Sequence, residues 1–183
     1  MSGKTMMAAE DLLSAKGAED IAHPGGTLFD HLRRVRDRLD EWGATHDVQL
    51  AGLCHAFYGT DGFPVALLDI ADRQCLVDVV GAKAEAIVYL CGSCDRATVY
   101  PQLDQAVVAF RDRFTAAQTM PDRSSLRAFV EISAANEFDV INHNLAIAAE
   151  HGPELRKLFT RARRHLSPPA RDAVASMTAL QAF

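Results

Sequence analysis

Apolar side chains recur along this chain mainly at steps of three and four, the period of an amphipathic helix, and seldom in the alternation that marks a strand. The clearest stripe is Leu28, Leu32, Val35, Leu39 and Trp42, with Arg33, Arg34, Arg36, Asp37 and Asp40 on the other faces. Thr27-Leu-Phe-Asp30 opens it as a capping box, and Gly43 is a natural stop. A shorter, loosely held helix is predicted over 8–17. Asp47 is placed to cap a helix over 48–57 that is apolar on nearly every side and so belongs in the middle of the core. Tyr58-Gly-Thr-Asp-Gly-Phe-Pro64 breaks it with turn-forming residues. Residues 65–79 and 82–91 read as two more helices divided at Gly81. Ser124 or Ser125 opens a long helix to about Glu150, ended by Gly152-Pro153, and 154–166 and 169–182 follow, split at Ser167-Pro-Pro169. Only 106–118 lacks a helical period, and a small β-hairpin turning at Arg111-Asp112 is expected there.

The fold class is therefore mainly α: a single helical domain over 23–183, preceded by an N-terminal extension over 1–22, with one small hairpin. The length of 183 residues suits one compact core. Hydrophobic residues make up 49% and charged residues 23%, which argues against a disordered chain. No apolar run reaches the roughly 18 residues a membrane span needs, and the N-terminus has no signal-peptide core. A net charge of −5 gives no electrostatic reason to expect nucleic acid. A cytoplasmic protein acting on a small molecule is expected, and a homodimer is compatible with the composition. Four cysteines are too few for a disulfide-stapled fold. Cys91-Gly-Ser-Cys94 has the spacing of a redox or zinc knuckle, but no second pair follows, so two partly buried thiols are the simpler reading.

Two of the seven histidines fall beside apolar stripes. His31 lies three residues after Leu28 and four before Val35, and His55 lies four after Ala51 on the central helix. Projecting inward from consecutive helices, the two imidazoles can meet. Buried polar groups need partners, and either a metal ion or hydrogen bonds to a carboxylate, carbonyl or water would serve. After His55, the loop brings Tyr58, Thr60 and Asp61 to the end of a buried helix, with Asp61 as candidate base or ligand carboxylate. His23 precedes Pro-Gly-Gly at the mouth of the His31 helix. Arg96, beside Asp95, is either an anion anchor or half of an ion pair. Asn136, Asp139 and His143 form one stripe of the long helix, which reads as a polar seam facing solvent. The basic run from Arg156 to Arg164 reads as a solvated face.

The segments TLFDHLRRVRDRL and VQLAGLCHAFYGTDG resemble the opening of the HD-domain superfamily, in which one helix supplies a histidine and a later apolar helix a His-Asp pair. The segments HPGGTL (His23–Leu28), GLCHAFYGT (Gly52–Thr60) and Asp95-Arg96 are closer to one branch of it. By that resemblance His31 matches the first metal-binding histidine, His55 the histidine of the pair, and Asn136 the place of the last metal-binding aspartate. Ala56 stands where the bridging aspartate belongs, and no histidine occurs between residues 56 and 142. The resemblance thus implies at most one divalent metal ion, held by His31 and His55 with a carboxylate from Asp61, Asp95 or Asp104, and a metal-free pocket is slightly favoured. The expected function is a small-metabolite enzyme. His55, His31, Asp61 and Tyr58 would do the chemistry, metal-dependent hydrolysis or metal-free acid–base work of the lyase or isomerase type. His23, Thr60, Arg96 and Asn136 would contact substrate. The alternatives are a metal-free binding or regulatory module on the same scaffold and, by the superfamily resemblance, an iron oxygenase.

Overall fold

The computed structural model describes residues 2–177 and is mainly helical. Helix α1 spans Ser2–Ala15, and a two-residue antiparallel ribbon follows, β1 (Ala22–His23) on β2 (Gly26–Thr27), turning at Pro24-Gly25. Then come α2 (Leu28–Glu41), α3 (His46–Cys54), α4 (Arg73–Val80), α5 (Ala82–Ser93) and the single turn α6 (Arg96–Val99). A second ribbon, β3 (Phe110–Arg111) on β4 (Gln118–Thr119), precedes α7 (Arg123–His143), α8 (Leu145–Arg161) and α9 (Pro168–Ser176).

Two helices organise the core. In α3 every residue from Leu50 to Cys54 is buried, and the helix packs against α1, α2, α4, α5 and α7. Helix α7, 21 residues long, runs against α2, α3, α5, α8 and α9. The α2 stripe is buried as its period requires, and the Thr27–Asp30 capping box closes with Asp30 N–H donating to Thr27 Oγ1 at 3.1 Å and Thr27 N–H to Asp30 Oδ2 at 3.0 Å. Gly52 lets α3 cross close to α2: a Cβ there would stand 2.2 Å from Leu39 Cδ1.

Several elements differ from the sequence reading. Helix α1 is longer than expected and is not loosely held, since Ala9 and Leu13 are fully buried and the helix packs against α3 and α4. The region expected as a helix over 65–79 is irregular until a 3-10 turn at Ile70–Asp72, because Asp69 accepts from Ala71 N–H and starts the helical region late. The expected cap Asp47 lies inside α3 and pairs with Lys83, and Thr45 is the N-cap. Asp122, not Ser124 or Ser125, caps α7, accepting from the backbone amides of both serines. The second ribbon forms, but Arg111 is in its strand, and the turn runs through 112–117 with the Asp112 carboxylate accepting from Phe114 and Thr115 N–H.

The largest difference is at the end of the long helix. It stops at His143, because Asn144 is extended (φ −144°, ψ 100°) and its side chain caps α8 at Ala146 and Ile147. Pro153 then sits inside α8. The carbonyl it leaves without a donor belongs to Ala149, an exposed residue where water can replace the lost bond.

Candidate functional site

Three helices bring the site together. His31 sits on the buried face of α2, Asn136 on α7, and His55 directly after the last turn of α3. His55 is aimed by local chemistry: its Nδ1–H donates to the Gly52 carbonyl at 2.7 Å, one of the acceptors a helix end leaves unpaired. His31 is aimed by a longer-range partner, Asp139, whose Oδ2 accepts from His31 Nδ1–H at 2.6 Å. Asp139 is 1% exposed and also accepts from Arg34 Nε (2.7 Å) and Nη2 (2.9 Å). Arg34 in turn donates to the carbonyls of Pro24 and Gly25, which ties the first ribbon to the site.

With both Nδ1 atoms committed as donors, each histidine turns Nε2 toward one point. Asn136 Oδ1 lies 3.0 Å from His31 Nε2 and 3.0 Å from His55 Nε2. The ring centroids of the two histidines are 5.5 Å apart. When both imidazoles are neutral with the proton on Nδ1, each has its lone pair on Nε2, and three acceptors then face one another. Turning the amide over places its NH2 between the two nitrogens. It then sets Oδ1 against the Glu137 Oε1 that Nδ2 otherwise meets at 3.2 Å, again two acceptors. Neither orientation satisfies every neighbour.

Burial, chiefly, and then the neighbouring His31 bring the His55 pKa down to about 3, so this ring is neutral near pH 7. His23, on β1, stacks on His31 with ring centroids 4.0 Å apart, and burial, then His31, lowers its pKa to about 4. Burial alone would raise the Asp139 pKa, but the hydrogen bonds from His31 and Arg34 outweigh it and hold the carboxyl at about 2.

A cavity of about 20 Å³ adjoins the triangle, lined among others by His55, Thr60, Cys91, Cys94, Arg96 and Asn136. Arg96 Nη1 donates to Glu137 Oε1 at 3.0 Å, the same oxygen that accepts from Asn136. Cys91 and Cys94 carry free thiols, and burial raises both pKa values, that of Cys91 to about 12. Both thiols are thus held in the protonated form among the walls of the cavity.

Residues 12–96 match the family model described as a domain of unknown function, DUF6817. The match covers a little under half of the chain. It takes in His23, His31 and His55 and ends at Arg96, before Asn136 and Asp139. No curated protein and no solved structure matches the chain.

The structure gathers His23, His31, His55, Asn136, Thr60 and Arg96 around one region and leaves two expected participants outside it. Tyr58 is buried, but its hydroxyl donates to Glu85 Oε1 at 2.8 Å, beside Arg73, in a network that braces α4 against α5. Asp61 is exposed and does not line the cavity, since its Oδ2 accepts from Arg96 N–H at 2.9 Å. The loop glycines turn the carboxylate toward α6 rather than toward His55. The alternative carboxylates are also engaged elsewhere: Asp95 caps α6 and pairs with Arg111, and Asp104 pairs with Arg161.

Asp139, Arg34 and Glu137 are the site residues that the sequence reading missed. The stripe of Asn136, Asp139 and His143 was expected to face solvent, yet Asp139 is buried. The available signal was its spacing: Asp139 follows Asn136 by three residues, so any helix that aims one inward aims the other there too.

Proposed function

We propose that His31, His55 and Asn136 hold a single divalent cation in an enzyme that hydrolyses a small molecule. One observation carries this reading: two imidazole nitrogens and an amide oxygen converge with both Nδ1 protons already spent, an arrangement that a cation satisfies without the contact between Oδ1 and Glu137 Oε1 that turning the amide over would create. Behind the triangle, Asp139 supports His31 and Glu137 supports Asn136. The negative charge lacking among the donors themselves thus stands one bond further out, as it commonly does around metal-binding histidines. Among the described residues no three His, Cys, Asp or Glu side chains are placed to hold a metal ion together. The donor set is instead two nitrogens and a neutral oxygen. That set fits one borderline cation such as Zn²⁺ or Fe²⁺ and suits Mg²⁺ poorly. It does not fit two ions, since Ala56 offers no bridging carboxylate.

In this reading the site is a single-metal variant of the HD arrangement. The cation, when bound, would polarise a substrate oxygen and lower the pKa of a water. The chain supplies the rest. Asp139 and Gly52 fix the two imidazoles, Arg96 offers donors to an anionic group, and His23 screens one face of His31. No carboxylate lines the cavity, and the neutral imidazole of His23, outside the cavity but stacked on His31, is the proposed proton acceptor.

Titration calorimetry on untagged protein dialysed against a chelator tests this. One equivalent of Zn²⁺ is expected to bind, and His55→Gln to lose it. Absence of binding, or two equivalents, overturns the proposal. A metal-free site, with the amide turned over so that its NH2 donates to both Nε2 atoms, would give no binding and no change on His55→Gln.

A further inference from the structure

The cavity beside the triangle has room for about one water-sized group. A substrate can therefore present only its reacting atom there, and its body must lie outside. The adjoining space is a groove of about 540 Å³ between α6, the 3-10 turn Tyr100–Gln102 and α8, and it shares Arg96 and Tyr100 with the cavity. A volume of that size is in the ordinary range for small-molecule sites. Two other grooves of similar size, about 480 Å³ around Trp42 and Ile87 and about 470 Å³ around Asp122 and Arg127, share no residue with the cavity.

One face of α8 forms a wall of the groove, through Ile147, His151, Glu154, Leu155, Leu158 and Arg161. At 1.5 Å per residue this face runs about 21 Å. Ala97, Pro101 and Tyr100 lie among the residues of the other side. The middle is thus apolar and long. Most of its charged groups are already matched: Glu154 with Lys157 at 2.7 Å, Arg161 with the Pro101 carbonyl at 2.9 Å and Asp104 at 3.4 Å, and Glu137 with Arg96 and Asn136. Arg96 is different. A guanidinium carries five N–H donors, and among the described residues its one hydrogen bond to a side chain is Nη1 to Glu137. It stands where the groove meets the cavity, with donors to spare.

We infer that the groove binds an anionic amphiphile, an apolar body lying along α8 and a carboxylate, phosphate or similar head on Arg96. Binding stands on the groove's own chemistry, whereas its role as substrate site rests on the histidine triangle being where turnover occurs.

Two fluorescent probes with the same body separate the parts: 1-anilinonaphthalene-8-sulfonate carries an anionic head, and N-phenyl-1-naphthylamine lacks it. The sulfonate is expected to bind at least tenfold more tightly. Arg96→Gln should remove that difference and leave the neutral probe unchanged. Ala97→Trp, at an exposed position in the groove, should abolish binding of both with the melting temperature preserved. Equal affinity for the two probes, or sulfonate binding indifferent to either variant, overturns the inference. Zn²⁺ titration of Ala97→Trp separates the two readings: the groove inference fails on the probes alone, and the cation proposal fails on the titration alone.

Discussion

Replacing Asp139 by asparagine removes one charge and keeps the outline of the side chain, which makes it the sharpest probe of the site. The carboxylate is 1% exposed and accepts three charge-assisted hydrogen bonds, one from His31 and two from Arg34. An amide has a single acceptor oxygen, so one of its neighbours must face an NH2 group, donor against donor. Breaking a buried ion pair costs roughly 3–5 kcal/mol. The low end applies, because the Arg34 side chain is 28% exposed and keeps the carbonyls of Pro24 and Gly25. A loss of about 3 kcal/mol is expected. Urea denaturation can follow it through Trp42, the only tryptophan of the chain, which is 7% exposed against the edge of Phe138. The same variant frees the His31 ring to turn and should weaken Zn²⁺ binding by about 10–100-fold, as loss of a supporting carboxylate does elsewhere. Stability within about 0.5 kcal/mol of the parent would refute the energetic argument. Unchanged Zn²⁺ affinity in a destabilised variant would refute the positioning role alone.

Tyr58→Phe should cost about 1.5–3 kcal/mol, the worth of a hydrogen bond to a charged group, and leave Zn²⁺ binding intact, because the hydroxyl serves Glu85; a lost cation site would place Tyr58 back in it. Gly52→Ala should destabilise by 2 kcal/mol or more, since the new methyl collides with Leu39 in the α2–α3 crossing, and calorimetric melting would detect it. Asp61→Asn should change stability by less than about 1 kcal/mol, as at most surface positions, and leave Zn²⁺ affinity as it is; a large change in that affinity would return the carboxylate to the site. His165 is buried, donates to the Gln105 carbonyl, and has its pKa lowered chiefly by burial. The unfolded chain therefore binds this proton more readily, and stability is lost as pH falls below the unfolded value of 6.5. Between pH 7 and 5, His165→Gln should lose less stability than the parent in parallel urea curves, and identical losses would remove His165 from the pH response.

Much of the helical frame is legible in local sequence because short-range physics specifies it. Thr27 and Asp30 cap α2 within one turn, the Leu28–Trp42 stripe has one face to bury, and Gly81 ends α4 with a positive φ of 83° that other residues resist. The inward direction of His31 and His55 was readable in the same way, from their steps along apolar stripes.

What the pattern left open was decided by exposure at one helix end and, in the site, by partners distant in the chain. Asn144 and Pro153 compete to end the same helix, and Asn144 wins because its side chain caps α8, while Pro153 costs little where its orphaned carbonyl reaches water. Asp139 sits on a stripe that pattern alone assigns to solvent. It is buried because Arg34 and His31, over a hundred positions away, supply the donors that a buried carboxylate requires. Asp61 and Tyr58 follow His55 directly yet turn from it, since the loop faces Arg96 on one side and Glu85 on the other. Local sequence set the helices and which way the histidines point. Whether their lone pairs would find a proton, a carbonyl or a cation was set by α7, which packs across α2 and α3 and brings Asn136 between them.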